Sequence, residues 1–205
     1  VKDPSSLFMI HRDGALPSGL AVAAVYEGSR ILMVELQALT VPAKGSISRV
    51  FSDRIDSNRV SRTAAVLEKH IGLRFSDHDI YVNVAGGIKL SEVGIELPLA
   101  IALYSARTGI ALPPKTALAG ELSLAGEIRP IAHLKRRIKT SREMGFSRFL
   151  GPVATQDMEH PEETTQGAVS QEEPAQGAGR QTAQEASLQA ATIGEAIQFL
   201  FKGRA

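Results

Sequence analysis

The stretch GGIKLSEVGIELPLAIALYSA, residues 86–106, decides how this chain is read. The run before and into it, IYVNVAGGI (80–88), alternates like a strand and ends in glycines. From residue 97 to 108 the sequence turns dense in Leu, Ile and Ala, the pattern of a helix buried on several sides. Pro98 stands at its opening, where a missing N–H costs little. LPP at 112–114 is expected to stop the helix. In many hydrolases a turn that leads into such a helix carries the nucleophile. Here it carries proline, which has neither a hydroxyl nor an oxyanion-binding N–H.

Toward the N-terminus, LAVAAVYE (20–27) and RILMVELQAL (30–39) read as a strand pair around the turn Gly28-Ser29. Residues 41–49 read as an exposed loop. Asp56 or Ser57 caps a helix that Gly72 ends, with Val60, Ala64, Leu67 and Ile71 on its inner face. Arg62 and Lys69 point outward, with Arg59 on the flank. Toward the C-terminus, ALAGELSLAGEIRPI (117–131) predicts a hairpin, HLKRRIKTSREMG (133–145) a basic helix closed by Gly145, and SRFLG (147–151) a last strand. This order of elements indicates a mixed α/β domain over 1–153. Residues 154–187, an acidic low-complexity insert, lack the apolar surface to offset ordering entropy and are expected to be disordered. Residues 188–205 are expected to dock a terminal helix through Ile193, Ile197 and Leu200 or Phe201.

Composition narrows the function. The chain has no cysteine, which removes disulfides and thiolate zinc sites and fits a cytoplasmic location. No apolar run reaches membrane length, and no signal peptide is visible. The chain begins at Val1, as expected of a piece of a longer protein. There is no G-x-x-x-x-G-K-[ST] phosphate loop, and GGIKLSEVG lacks the dinucleotide fingerprint. The five histidines (His11, His70, His78, His133, His160) show no ligand spacing, so no metal or other cofactor is expected in this chain.

Net charge is +1, but residues 151–190 carry seven acids against the single base Arg180, which leaves the rest of the chain at +7. Two basic groupings stand out as candidate DNA contacts. The first is Lys44, Arg49, Arg54, Arg59 and Arg62; the second is Arg129, Lys135, Arg136, Arg137, Lys139 and Arg142. Contacts of this kind meet phosphates and are indifferent to base sequence. With only seven Phe, three Tyr and no Trp, exposed aromatics are expected to be too few for a base-stacking platform.

The segments PSSLFMI (4–10), LMVELQALT (32–40), SRV (48–50), DSNR (56–59), LEKHIGL (67–73), DIYVNVAGGIKLSE (79–92), LPP (112–114) and GELSLAGEIRPI (120–131) follow in one order. Together they resemble the C-terminal domain of the RadA (Sms) family of bacterial DNA repair proteins. That domain is in turn similar to the proteolytic domain of Lon. The resemblance implies a ribosomal protein S5 domain 2-like mixed sheet with packed helices. It places ELPLA (96–100) at the Lon nucleophile turn, with Pro98 in place of the serine, Glu96 and Ala100 in place of flanking glycines, and Lys135 at the lysine base. Ser91 and Ser105 lie outside that turn. A lysine base also depends on burial. The resemblance therefore implies a non-proteolytic module that helps build a homo-hexamer and contacts single-stranded or branched DNA. For the complete protein the resemblance implies a DNA-dependent ATPase that drives branch migration beside a RecA-type recombinase, with ATP, magnesium and zinc expected only in its N-terminal domains. A pure assembly scaffold and an atypical Ser/Lys peptidase are the alternative readings.

Overall fold

The computed structural model describes residues 16–45, 47–154 and 186–202; PSSLFMI and nearly all of the acidic stretch lie outside them. β1 (Leu20–Glu27) and β2 (Arg30–Pro42) form the expected antiparallel hairpin, turning through Gly28 at φ +61°. β2 extends to Pro42, beyond the expected strand. A short strand that the sequence does not announce, β3 (Val50–Ser52), pairs in parallel with β4 (His78–Val84). Between them α1 (Ser57–Ile71) starts where Asp56 accepts from the N–H groups of Asn58 (2.7 Å) and Arg59 (3.3 Å), and ends at Gly72 in the left-handed region. Both caps match the sequence reading.

α2 (Glu96–Thr108) begins two residues before Pro98, which sits inside the first turn, where its missing N–H removes no intrahelical bond. Gly109, left-handed at φ +73°, ends the helix before LPP is reached. The echo at 117–131 divides. β5 (Thr116–Leu118) joins the main sheet, and only β6 (Glu121–Leu122) and β7 (Ile128–Arg129) form a hairpin. α3 (Leu134–Glu143) and β8 (Arg148–Pro152) follow, but β8 is not the last strand. β9 (Ala186–Ala190) pairs in parallel with it, so residues 186 and 187, expected within the insert, belong to the sheet. α4 (Ile193–Phe201) is capped by Thr192 and docks through Ile193, Ile197, Leu200 and Phe201, as expected.

The seven-stranded mixed sheet runs β3-β4-β2-β1-β5-β8-β9. The main core lies on the face that carries α1, α2 and α4, where Val34, Leu36, Ile80, Val82 and Val84 meet α1 and α2. The opposite face holds a smaller core of Ala24, Ile31, Met33, Ala117 and Phe149 under Leu134 and Ile138 of α3. Alternation along β2 sends Ile31, Met33, Glu35, Gln37 and Leu39 to this second face. α3 covers the start of that row only.

Candidate functional site

The start of α2 is held by charge. Glu96 is 3% exposed; its Oε1 meets Arg62 at 2.5 Å and Arg59 at 3.5 Å, and its Oε2 accepts from the Leu122 N–H at 3.0 Å. Arg59 also donates to the carbonyls of Ser91 (3.0 Å) and Glu92 (2.9 Å), and so anchors the loop ahead of the helix. Glu92 accepts from the Tyr26 N–H at 2.7 Å and pairs with Arg137. The turn is thus packed with satisfied charge around Pro98, which is itself buried.

Ser105 is fully buried, accepting from the Gly19 N–H (2.8 Å) and donating to the Ile110 carbonyl (2.6 Å), which makes it a structural hydroxyl. Ser91 lies exposed in the anchored loop. Lys135 is exposed on α3, beside a cleft of about 430 Å³ shared with Ile138, Lys139, Arg142, Glu143 and Ser187. The burial that a lysine base depends on is absent there.

The structure sorts the eleven candidate cations into two kinds. Arg137 is corrected from a DNA contact to a core residue. It is 2% exposed, donates to the carbonyls of Ala24 (2.5 Å) and Ala132 (3.0 Å), and pairs with Glu92, so no phosphate can reach it. Arg59 and Arg62 are turned toward Glu96. Lys44, Arg49 and Arg54 are exposed and bracket β3. Arg49 is clamped by Asp79, at 2.7 Å. The hydrogen bond from Arg49 holds the Asp79 carboxyl below the usual carboxylate range, and the carboxylate in turn raises Arg49. Arg129 is exposed, 3.9 Å from Glu127. Lys135, Arg136, Lys139 and Arg142 make an exposed cationic surface along α3; Arg136 also donates to the Ser29 carbonyl at 2.7 Å and ties α3 to the β1–β2 turn.

Sequence reasoning missed the carboxylates that organise this region. Glu92, Glu96 and Asp79 stand among apolar or loop residues, and nothing local marks them as partners of arginines some 30 to 45 positions away. Among the described residues no three His, Asp or Glu side chains gather in a way that would hold a metal ion.

The fold and the proline-bearing turn define a mixed α/β domain with a charge-braced helix start. A family described as subunit ChlI of Mg-chelatase matches residues 51–155, just over half of the chain, and the chain belongs to that family. It is also similar to DNA repair protein RadA of Treponema pallidum (strain Nichols), with 56% identity over 156 residues, which is 76% of this chain and 34% of that protein. RadA of Brucella abortus (strain 2308) is 42% identical over 146 residues, 71% of this chain and 31% of the relative. RadA of Bacillus subtilis (strain 168) is 37% identical over 157 residues, 77% and 34% respectively. The chain spans about a third of the length of these curated relatives.

Proposed function

We propose that this chain is the Lon-like, non-proteolytic domain of a RadA-type DNA repair protein. In that reading it supports assembly of a homo-hexameric ring and touches DNA phosphates without reading sequence. The observation that carries the reading is the identity to proteins named DNA repair protein RadA over three quarters of the chain. The exposed cations of α3 supply a surface for it. Pro98 and the exposed Lys135 argue against peptide hydrolysis. ATP, magnesium and zinc would be handled by other parts of the complete cytoplasmic protein, which would drive branch migration beside a RecA-type recombinase.

A second reading, a scaffold without DNA contact, draws on a specific observation. Arg49, Arg59, Arg62 and Arg137, four of the eleven candidate cations, are engaged by Asp79, Glu96 and Glu92. Solution mass of the chain with and without a branched DNA, followed by a salt titration of affinity, separates the two. The DNA reading expects binding whose log–log salt slope falls by about two in an Arg136→Ala/Lys139→Ala chain, one per lost phosphate contact. Assembly with no DNA binding leaves the scaffold.

A further inference from the structure

Beyond α3, the second face of the sheet carries exposed side chains among the described residues. Leu39, Tyr81 and Phe51 lie side by side there, in register across β2, β4 and β3. They are 56%, 38% and 42% exposed. The two rings stack with centroids 4.6 Å apart and planes 10° from parallel. The Arg49 guanidinium lies 5.5 Å from the Phe51 centroid, fixed there by Asp79. One register further on, Asn83 donates to Gln37 at 3.0 Å. That amide pair opens into a cleft of about 430 Å³ with Asp53, Arg54 and the backbone of Gly86 and Gly87.

We propose that this face binds an unpaired nucleic-acid strand, the Leu39–Tyr81–Phe51 row packing against bases while Arg49 and Arg54 meet phosphates. The proposal rests on the DNA reading above and deepens it by assigning a face of the sheet, with named residues, to the strand. A chain with only ten Phe and Tyr residues places two of them, stacked and partly exposed, on this sheet face. Both rings are already more than half buried, so a partner that covered what remains would gain a fraction of the roughly 1.5–3 kcal/mol of full burial for each. The row is flanked by three cations and by the exposed Asp53, which directly follows β3. Lys44 and Arg49 precede β3 and Arg54 follows it, and Arg54 has no side-chain partner among the described residues. Asp79 is paired with Arg49, and Asp53 is the acid that lines the cleft beside Arg54. Arg49 and Arg54 are at most roughly 17 Å apart along the chain, a span that a few nucleotides cover. The Gln37 and Asn83 amides supply donors and acceptors for base edges. A duplex hides its base faces, so an aromatic row with flanking cations selects a single strand.

Fluorescence anisotropy with a labelled oligothymidylate and a blunt duplex of equal length tests this. The wild-type chain is expected to bind the single strand more tightly. Tyr81→Ala and Leu39→Ala should each weaken it about tenfold and leave duplex affinity and the thermal midpoint unchanged. Leu39 is more than half exposed, so its variant decides the matter if Tyr81→Ala fails to fold. Arg136→Ala/Lys139→Ala should weaken both DNAs alike. If both row variants bind the single strand as wild type does, the proposal falls and the DNA reading survives. If the wild type binds neither DNA, both fall. If the row variants instead convert a DNA-free oligomer to monomer in sedimentation, the face is a subunit contact and the proposal is overturned.

Discussion

Arg137 and Glu92 form an ion pair that grips the backbone of β1 from both sides of the charge: Arg137 donates to the Ala24 carbonyl and Glu92 accepts from the Tyr26 N–H. β5 stops pairing with β1 at Ala23↔Leu118, and the ion pair takes over the backbone groups beyond that point. It thereby joins three elements that share no hydrogen-bond ladder: the loop before α2, the edge of β1, and α3. Arg137 is the largest fully buried side chain of the described residues, and its guanidinium bonds the Ala24 and Ala132 carbonyls and the Glu92 carboxylate.

Removing one member of such a pair strands the other. Arg137→Met is expected to destabilise the chain by about 3–5 kcal/mol, whereas Arg136→Ala, one residue away, should cost under about 1 kcal/mol. Urea unfolding of the two variants checks this. The Arg137→Met/Glu92→Gln double variant should recover part of the loss, because the half-buried, unpaired carboxylate charge is then gone. Equal stability of Arg136→Ala and Arg137→Met would contradict the buried role.

The same pair limits Gly94. A Cβ there would lie 2.5 Å from the Glu92 carboxylate oxygen and 3.3 Å from the Arg137 guanidinium. Gly94→Ala is therefore expected to cost about 1–3 kcal/mol by pushing the pair apart, in spite of alanine's better backbone entropy. The test is non-additivity. In an Arg137→Met background the added penalty should shrink, because the Glu92 carboxylate that crowds the site is then no longer held in place by the guanidinium.

How much of this was legible follows from where the information sits. Caps are local, so Asp56 and Gly72 could be read directly, and the β1–β2 hairpin was carried by its own alternation. β3 is three residues long, too short for any period to emerge, and with it went the exposure of Phe51 and the stacking on Tyr81. The KRR run at 135–137 looks uniform as charge. Helical spacing separates it: Arg137 and Ser141 are buried, with half-buried Leu134 and Ile138 on the same side, while Lys135, Arg136, Lys139 and Arg142 face outward. That signal was present at 134–141 and was outweighed by counting cations. The carboxylate partners were not recoverable, because which acid meets which arginine is set by the fold.

Acid should loosen the β3–β4 edge first. The hydrogen bond from Arg49 lowers the Asp79 carboxyl, so its contribution is present above the unfolded carboxylate range and is lost as pH falls through the depressed folded value. Asp77, lowered mainly by its hydrogen bond with His78 at 2.6 Å, has the same sign. Asp79→Asn should therefore be less stable than wild type at neutral pH. The gap should close as pH falls below about 4, where the unfolded carboxyl is protonated. Thermal midpoints of both proteins across that range give the answer; a gap that stays constant with pH would show that the ionised carboxylate is not what holds Arg49.

A hydroxyl placed at residue 98 tests the proposed Lon-like, non-proteolytic reading at the helix start. Pro98→Ser places an alcohol in the first turn of α2, where the Glu96 carboxylate is already bound by Arg59, Arg62 and the Leu122 N–H. Lys135 is exposed, and a nucleophilic serine needs a base within hydrogen-bonding reach and a donor pair for the oxyanion. The variant is expected to fold, since serine is a tolerated first-turn residue, and to leave casein intact over the uncatalysed background. Casein turnover that appears with Pro98→Ser and disappears when Lys135→Ala is added would mean that the base and the cleft survive around the proline, and that the loss of activity lies in that one side chain.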